Sequence, residues 1–165
     1  EIGGVAMDDG SAAQLRARMA WMGQKPHVFA GTVHANVALA NPRATHARVQ
    51  EAIRLAGLER VDRAHPAASL GEGGMGVSGG EIVRLALARL AFRADAADVL
   101  LVDEPTAHLD GRTAVQVTDA LLSIAAGRTL VVATHDPQLA ARMHRVVHLG
   151  AQPLPQEREA KRGFA

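Results

Sequence analysis

Two short apolar runs that each end abruptly in polar residues most constrain the fold of this 165-residue chain. The runs, VLLV at 99–102 and LVVA at 130–133, are continuous rather than alternating. Such runs are typical of strands buried on both faces of a parallel sheet. Between them, Val117, Leu121 and Ile124 recur at helical spacing, and Gly127 is placed to end that helix. The pattern predicts a strand, helix, strand unit of an α/β fold.

The chain upstream of this unit extends the same fold. Residues 19–22 predict another strand, which leads into Gln24. A helix with one apolar stripe is predicted before Gly57, its stripe made of Val49, Ala52, Ile53 and Ala56. A glycine-rich loop at 71–80 leads into a helix from about 81 to 92. Prolines and charges follow Gly150, so we expect one domain at 1–150 and a flexible tail at 151–165.

Composition excludes several classes of function. The 18 basic and 17 acidic residues give a net charge of +1, which provides no overall field to hold nucleic acid, and no nucleic-acid partner is expected. The absence of cysteine excludes a thiolate metal site and a cysteine nucleophile. No stretch approaches the roughly 20 apolar residues that span a bilayer.

Asp103 and Glu104 directly follow the first apolar run. A nucleoside triphosphate site needs one carboxylate to hold hydrated magnesium and another to accept a proton from the attacking water. Adjacent carboxylates at a strand end can supply both. They can equally well do no more than end the strand, and this pattern alone does not decide between the two interpretations.

Ser78, Gly79, Gly80 and Glu81 open the apolar helix. Ser78 and Glu81 match the helix capping box, which is the simpler interpretation. Two glycines in a first turn cost stability, yet they let backbone amides approach a phosphate at a helix N-terminus that already favours anions. We therefore favour phosphate contact over capping alone.

The second apolar run ends in Thr134, His135 and Asp136. Asp136 and Pro137 are interpreted as an N-cap and a first helical residue. His135 lies where an imidazole can bond a phosphoryl group or orient water. A metal site at His144 and His148 is disfavoured, because the apolar residues beside them suggest a strand.

These motifs, in their identity and order, resemble the ABC ATPase family over roughly residues 2–150. The most specific segments are VSGGE, LLVDEPTAHLD and VVATHD. The departures, Val77 and Glu81 and an atypical stretch at 65–69, leave the serine and both glycines in place. The resemblance implies that Gln24 senses magnesium and that Asp103 supports it. It implies that Glu104 is the catalytic base and His135 the switch histidine. It also implies that Ser78, Gly79 and Gly80 form the signature segment and that Asp110 couples two nucleotide sites.

The family further implies a P-loop NTPase-like parallel sheet with a helical subdomain. The loop ending in Gly-Lys-Ser/Thr is absent from the sequence, whose only lysines are Lys25 and Lys161, so we expect that amino-terminal part to lie upstream and this chain alone to be inactive. ATP and Mg²⁺ are the implied cofactors, with Mg²⁺ held by Gln24 and Asp103, partly through water. The implied partners are a transmembrane domain, of the same or another chain, and a second ABC ATPase domain, as a homo- or heterodimer.

Segments FAGTVHANVALANP and GEGG are similar to those of exporter modules. EGGMGVSGGE together with DEPTAHLD is similar to the heterodimeric cysteine and glutathione exporter of bacterial cytochrome bd assembly. The resemblance therefore implies an ATP-hydrolysing export module at the cytoplasmic face of the bacterial inner membrane. The alternatives are a soluble ABC ATPase acting on nucleic acid and an inactive fragment.

Overall fold

The computed structural model describes residues 2–64, 70 and 76–150, and it is an α/β structure. The atypical stretch at 65–69, residues 71–75 of the expected glycine-rich loop and the expected tail at 151–165 lie outside the described residues. The elements are α1 (Ala12–Ala17), β1 (Met19–Met22), α2 (Val33–Val37), a 3₁₀ turn (Ala38–Ala40), α3 (His46–Leu55), α4 (Glu59–Ala64), α5 (Gly79–Ala94), β2 (Val99–Asp103), α6 (Gly111–Ile124), β3 (Thr129–Ala133) and α7 (Pro137–Ala140).

The three strands form one parallel sheet in the order β1-β2-β3. Trp21 is in register with Leu101, and Leu101 with Val131. The predicted α/β fold with its strand, helix, strand unit is therefore confirmed. Helix α6 supplies the crossover, and Gly127 adopts φ +76°, a conformation that favours glycine, shortly after the helix ends.

One face of the sheet packs into the core. Ala20 and Met22 of β1 and Leu100 and Val102 of β2 are buried in one cluster with residues of α5 and α6. This alternation follows from the pleat, which sends successive side chains to opposite faces. The predicted stripe of α3 is also confirmed, since Val49, Ala52, Ile53 and Ala56 are buried.

The opposite face of the sheet is open. Trp21 is 72% exposed and Val131 52% exposed, while Leu101 between them is only partly buried. The prediction that both apolar runs are buried on both faces is thus wrong. The described helices bury only the alternate residues of the strands, which leaves the second layer of a covered parallel sheet unfilled.

The predicted strand near residues 144–149 is also wrong. Residues 145–150 adopt no regular structure, and Val147 is 65% and Leu149 93% exposed. A strand needs a neighbour to pair its backbone groups, and the sheet of the described residues ends at β3. No described helix combines the length and hydropathy needed to cross a bilayer.

Helix α6 should contribute strongly to stability through its buried face. Leu121 is fully buried, whereas Val115 on the same helix is 48% exposed. Leu121→Ala should lower the free energy of unfolding by about 2–5 kcal/mol because it leaves a cavity, whereas Val115→Ala should change it by less than about 0.5 kcal/mol. Urea unfolding followed by circular dichroism measures both. Equal losses for the two variants would contradict this packing.

Candidate functional site

The polar residues that follow the three strands lie along one edge of the sheet. Gln24 comes just after β1, Asp103 ends β2 and is followed by Glu104, and His135 comes just after β3. Because the strands are parallel and adjacent, their carboxyl ends share this edge, which is where open α/β sheets bind ligands. The sequence prediction that Asp103, Glu104 and His135 lie at a common edge is confirmed.

Glu104 is held in an unusual backbone conformation. Its φ is +48°, in the left-handed region that non-glycine residues seldom adopt. Its amide donates to the carbonyl of Ala133 at 2.9 Å, which ties the residue to the end of β3. Such strain is found at functional sites when the surroundings impose it. The backbone thus fixes the direction in which the Glu104 side chain leaves the sheet.

The Glu104 carboxylate contacts His135. Glu104 Oε1 lies 2.8 Å from His135 Nδ1, with side-chain exposures of 18% for the glutamate and 78% for the histidine. This hydrogen bond, together with the charge of Glu104, raises the pKa of His135. The result is a carboxylate and imidazole pair in which the carboxylate is sheltered and the imidazole faces solvent.

Thr106 and Asp136 are site residues whose joint role the sequence did not indicate. The buried Thr106 hydroxyl donates to Asp136 Oδ2 at 2.8 Å. Asp136 Oδ1 in turn accepts from the amides of Gln138 and Leu139, so Asp136 is the N-cap of α7, as predicted. The bond from Thr106 is the main reason that the pKa of Asp136 is lowered. This network holds the backbone beside His135.

Ser78 forms the complete capping box of α5. Its hydroxyl accepts from the Glu81 amide at 3.3 Å, and Glu81 Oε2 accepts from the Ser78 amide at 2.8 Å. The simpler interpretation of this motif is therefore correct as far as it goes. Capping leaves the two glycines unexplained, so phosphate contact by Ser78, Gly79 and Gly80 stays a prediction.

The starts of α5 and α6 lie side by side. A Cβ on Gly80 would meet Thr113 Cγ2 at 3.0 Å, a contact so tight that the Thr113 side chain would have to shift by a few tenths of an ångström. Asp110 accepts from the Thr113 amide at 3.0 Å and from its hydroxyl at 2.7 Å, and these bonds lower the pKa of Asp110. Asp110 thus caps α6, and its coupling role stays a prediction.

The chemistry of Gln24 and Asp103 fits magnesium. Both offer oxygen ligands at the same sheet edge, and Gln24 is exposed. The described residues contain no cluster of three or more His, Cys, Asp or Glu side chains that could hold a metal alone. Mg²⁺ usually keeps several waters and binds through one or two protein groups together with substrate phosphates, and its binding by Gln24 and Asp103 stays a prediction.

The site and the fold define an ABC-type ATPase domain, and comparison with known proteins agrees. The ABC transporter family model matches residues 1–107. The chain therefore belongs to the ABC transporter family, and its resemblance to the exporter branch is confirmed.

The relatives are much longer proteins. The chain is 37% identical over 136 residues to the glutathione/L-cysteine transport system ATP-binding/permease protein CydC of Escherichia coli, covering 82% of this chain and 23% of that protein. It is 36% identical over 141 residues to the mycobactin import ATP-binding/permease protein IrtB of Mycolicibacterium smegmatis, covering 81% and 24%. The chain thus spans about a quarter of the length of these relatives.

A solved structure is also similar. A bacterial Atm1-family ABC exporter with ATP bound matches with a TM-score of 0.66 and 30% identity, over 78% of this chain and 23% of that one.

The His135 titration provides a test of the site. Because Glu104 raises the pKa of His135, the pair stabilises the fold at pH below the ordinary imidazole pKa, and this contribution is lost as pH rises through the raised value. Glu104→Gln should move the His135 midpoint back toward its ordinary value, as followed by NMR. Glu59→Gln removes an exposed carboxylate elsewhere and should leave the midpoint in place. An unchanged midpoint in Glu104→Gln would refute the pairing.

Proposed function

We propose that this chain is part of the ATP-hydrolysing module of an ABC exporter, which couples ATP hydrolysis to transport through a membrane domain. The observation that carries the proposal is the Glu104 and His135 pair at the sheet edge, directly after Asp103. A sheltered carboxylate beside a solvent-facing imidazole suits the activation of water next to a phosphate.

In the proposed reaction, Glu104 accepts a proton from water as the water oxygen bonds to the γ-phosphorus of ATP. The bond from that phosphorus to the bridging oxygen of ADP breaks, and inorganic phosphate and ADP leave. In its protonated form, which Glu104 favours by raising the His135 pKa, His135 donates from Nδ1 to Glu104 and can donate from Nε2 to a phosphoryl oxygen. Gln24 and Asp103 would hold Mg²⁺, which neutralises charge on the phosphates when it is bound.

The signature residues serve a second nucleotide in this proposal. The hydrogen bonds of the Ser78 and Asp110 side chains stay within their own helix starts, so neither side chain is committed to the Glu104 and His135 pair. Gly79 is exposed, and within the part of the chain that the structure describes a Cβ there would have no neighbour within 4 Å outside its own helix. Such a helix start is suited to close over the phosphates held by a second ABC ATPase domain, in a homo- or heterodimer.

The proposed setting is the cytoplasmic face of the bacterial inner membrane, with the transmembrane domain on the same or another chain. Two relatives, CydC of Escherichia coli and CydD of Haemophilus influenzae, are named as glutathione/L-cysteine transport system proteins, which favours cysteine or glutathione as the exported substrate. Those relatives are ATP-binding/permease proteins, which supports a membrane domain as the partner.

Glu104→Gln in the complete transporter tests the proposed base. ATP should still bind, while turnover should fall at least about 100-fold because the proton acceptor is lost. Phosphate release in lipid nanodiscs measures turnover, and nucleotide filtration measures binding. Any partner ATPase site must be silenced in the same assay, and Glu59→Gln is the matched control. Near-normal turnover would exclude Glu104 as the base.

Gly79→Asp tests the shared nucleotide site. None of the described residues would obstruct a side chain at Gly79, and aspartate suits a first helical turn, so the fold should keep its stability. The added carboxylate should repel phosphate and abolish hydrolysis at the partner's phosphate-binding loop. Photo-crosslinking of a nucleotide assigns the lesion to one loop.

Gly150→Asp is the matched control for Gly79→Asp. It adds the same charge at a position where a Cβ also meets none of the described residues within 4 Å, and it should keep normal hydrolysis. A defect of Gly79→Asp confined to the phosphate-binding loop of its own subunit would rule out sharing.

A further inference from the structure

Arg89 of α5 is bound to the segment that follows Gln24. Its guanidinium donates to the carbonyl of Asn36 at 2.8 Å, to Asn36 Oδ1 at 2.6 Å and to the carbonyl of His27 at 2.5 Å. It also lies over the Phe29 ring, 5.6 Å from the centroid. One side chain thus holds three residues that are more than 50 positions away in sequence.

Asn36 is hydrogen-bonded both to Arg89 and to residues of its own segment. It is only 1% exposed, and its amide oxygen accepts from the Phe29 amide at 3.0 Å. Its Nδ2 donates to the carbonyls of Phe29 and Thr32 at 2.9 and 3.0 Å. Asn36 therefore fixes the shape of residues 27–36, and Arg89 fixes that shaped segment to α5.

The Arg89 charge makes the attachment stiff. No described carboxylate forms an ion pair with Arg89, so its acceptors are the two carbonyls, the Asn36 amide oxygen and the Phe29 ring. Burial lowers the pKa of Arg89, although arginine stays charged. Moving residues 27–36 away from α5 would leave a half-buried charge without acceptors, which is strongly unfavourable.

A second link joins the same parts. Gly31 and Leu70 exchange both backbone hydrogen bonds, at 3.2 and 2.7 Å. Leu70 precedes the stretch that leads to Ser78. The segment is therefore bound both to α5, through Arg89, and to Leu70, which lies eight positions before Ser78 in the sequence.

We propose that Arg89 is a positioning residue that makes residues 27–36 and α5 move as one body. Displacement of the segment after Gln24 is then delivered to the helix start at Ser78, because α5 is one continuous 16-residue helix. The inference rests on the proposed function, since the consequence is control of how the signature meets a nucleotide. The half-exposed ring of Phe29 gives the body a surface on which a partner can act.

The test uses the complete transporter in lipid nanodiscs, with ATPase rates measured against MgATP concentration. Arg89→Gln should raise KM about tenfold, because the signature no longer closes in the correct position, and should change kcat by less than about twofold, because Glu104 and His135 are attached to the sheet. Arg89→Lys keeps the charge but loses the forked geometry of the guanidinium. Its KM should therefore lie between the wild-type value and that of Arg89→Gln.

Arg84→Gln is the matched control for Arg89→Gln. Arg84 lies on the same helix but donates to Gly57 and Gln116 instead of to residues 27–36, so KM should stay within about twofold of the wild-type value. Asn36→Ala should raise KM as Arg89→Gln does, and the double variant should raise it no further, since both residues act through one contact.

Hydrogen exchange supplies a readout that is independent of activity. Peptides covering 27–37 should exchange about tenfold faster in Arg89→Gln and should be unchanged in Arg84→Gln. If Arg89→Gln lowers kcat and leaves KM unchanged, the role of Arg89 is purely structural and the inference is overturned. Unchanged hydrogen exchange of the 27–37 peptides in Arg89→Gln also overturns it. A folded wild-type transporter without ATPase activity overturns the proposed function instead.

Discussion

The parallel pairing of β2 with both β1 and β3 is the interaction on which the rest of the structure depends. It brings three chain segments to one edge and orients them in the same direction. Glu104 reaches His135 only because β2 and β3 are adjacent and in register, with Asp103 opposite Ala133. The bond from the Glu104 amide to the Ala133 carbonyl extends that pairing by one step, and the chain leaves the sheet at Glu104 with a left-handed backbone.

The proposed site has two parts, which are the residues at the sheet edge and the signature at the start of α5. Glu104, His135 and the Thr106 and Asp136 bond belong to the sheet edge, where short hydrogen bonds fix them. The signature instead begins α5, whose far half is bound through Arg89 to residues 27–36. The proposed chemistry thus lies at the sheet edge and the proposed closure at the start of α5, a helix that packs in the same core as the sheet.

Periodicity and strand ends predicted the sheet, the crossover helix and the shared edge, because burial and parallel pairing leave direct traces in sequence. Sequence could not predict the contact of Thr106 with Asp136 or of Arg89 with Asn36, because each depends on residues that are distant along the chain and brought together by packing. The apolar run of β3 led to the wrong prediction that both faces of this strand are buried. A run of apolar residues shows that the strand has two apolar faces, but it does not show whether another layer covers them. Val131 shows the difference, being apolar and yet half-exposed.

The open sheet face also provides a natural optical probe. Trp21 is the only tryptophan of the chain, and it lies on that face in the edge strand β1, beside Leu101 of β2. An indole in water emits at longer wavelength than one in an apolar setting, so the emission maximum of this chain depends on whether that face is bare or covered. Any protein surface that covers this face of the sheet would therefore shift the Trp21 emission maximum to shorter wavelength, and no added label is needed to detect it.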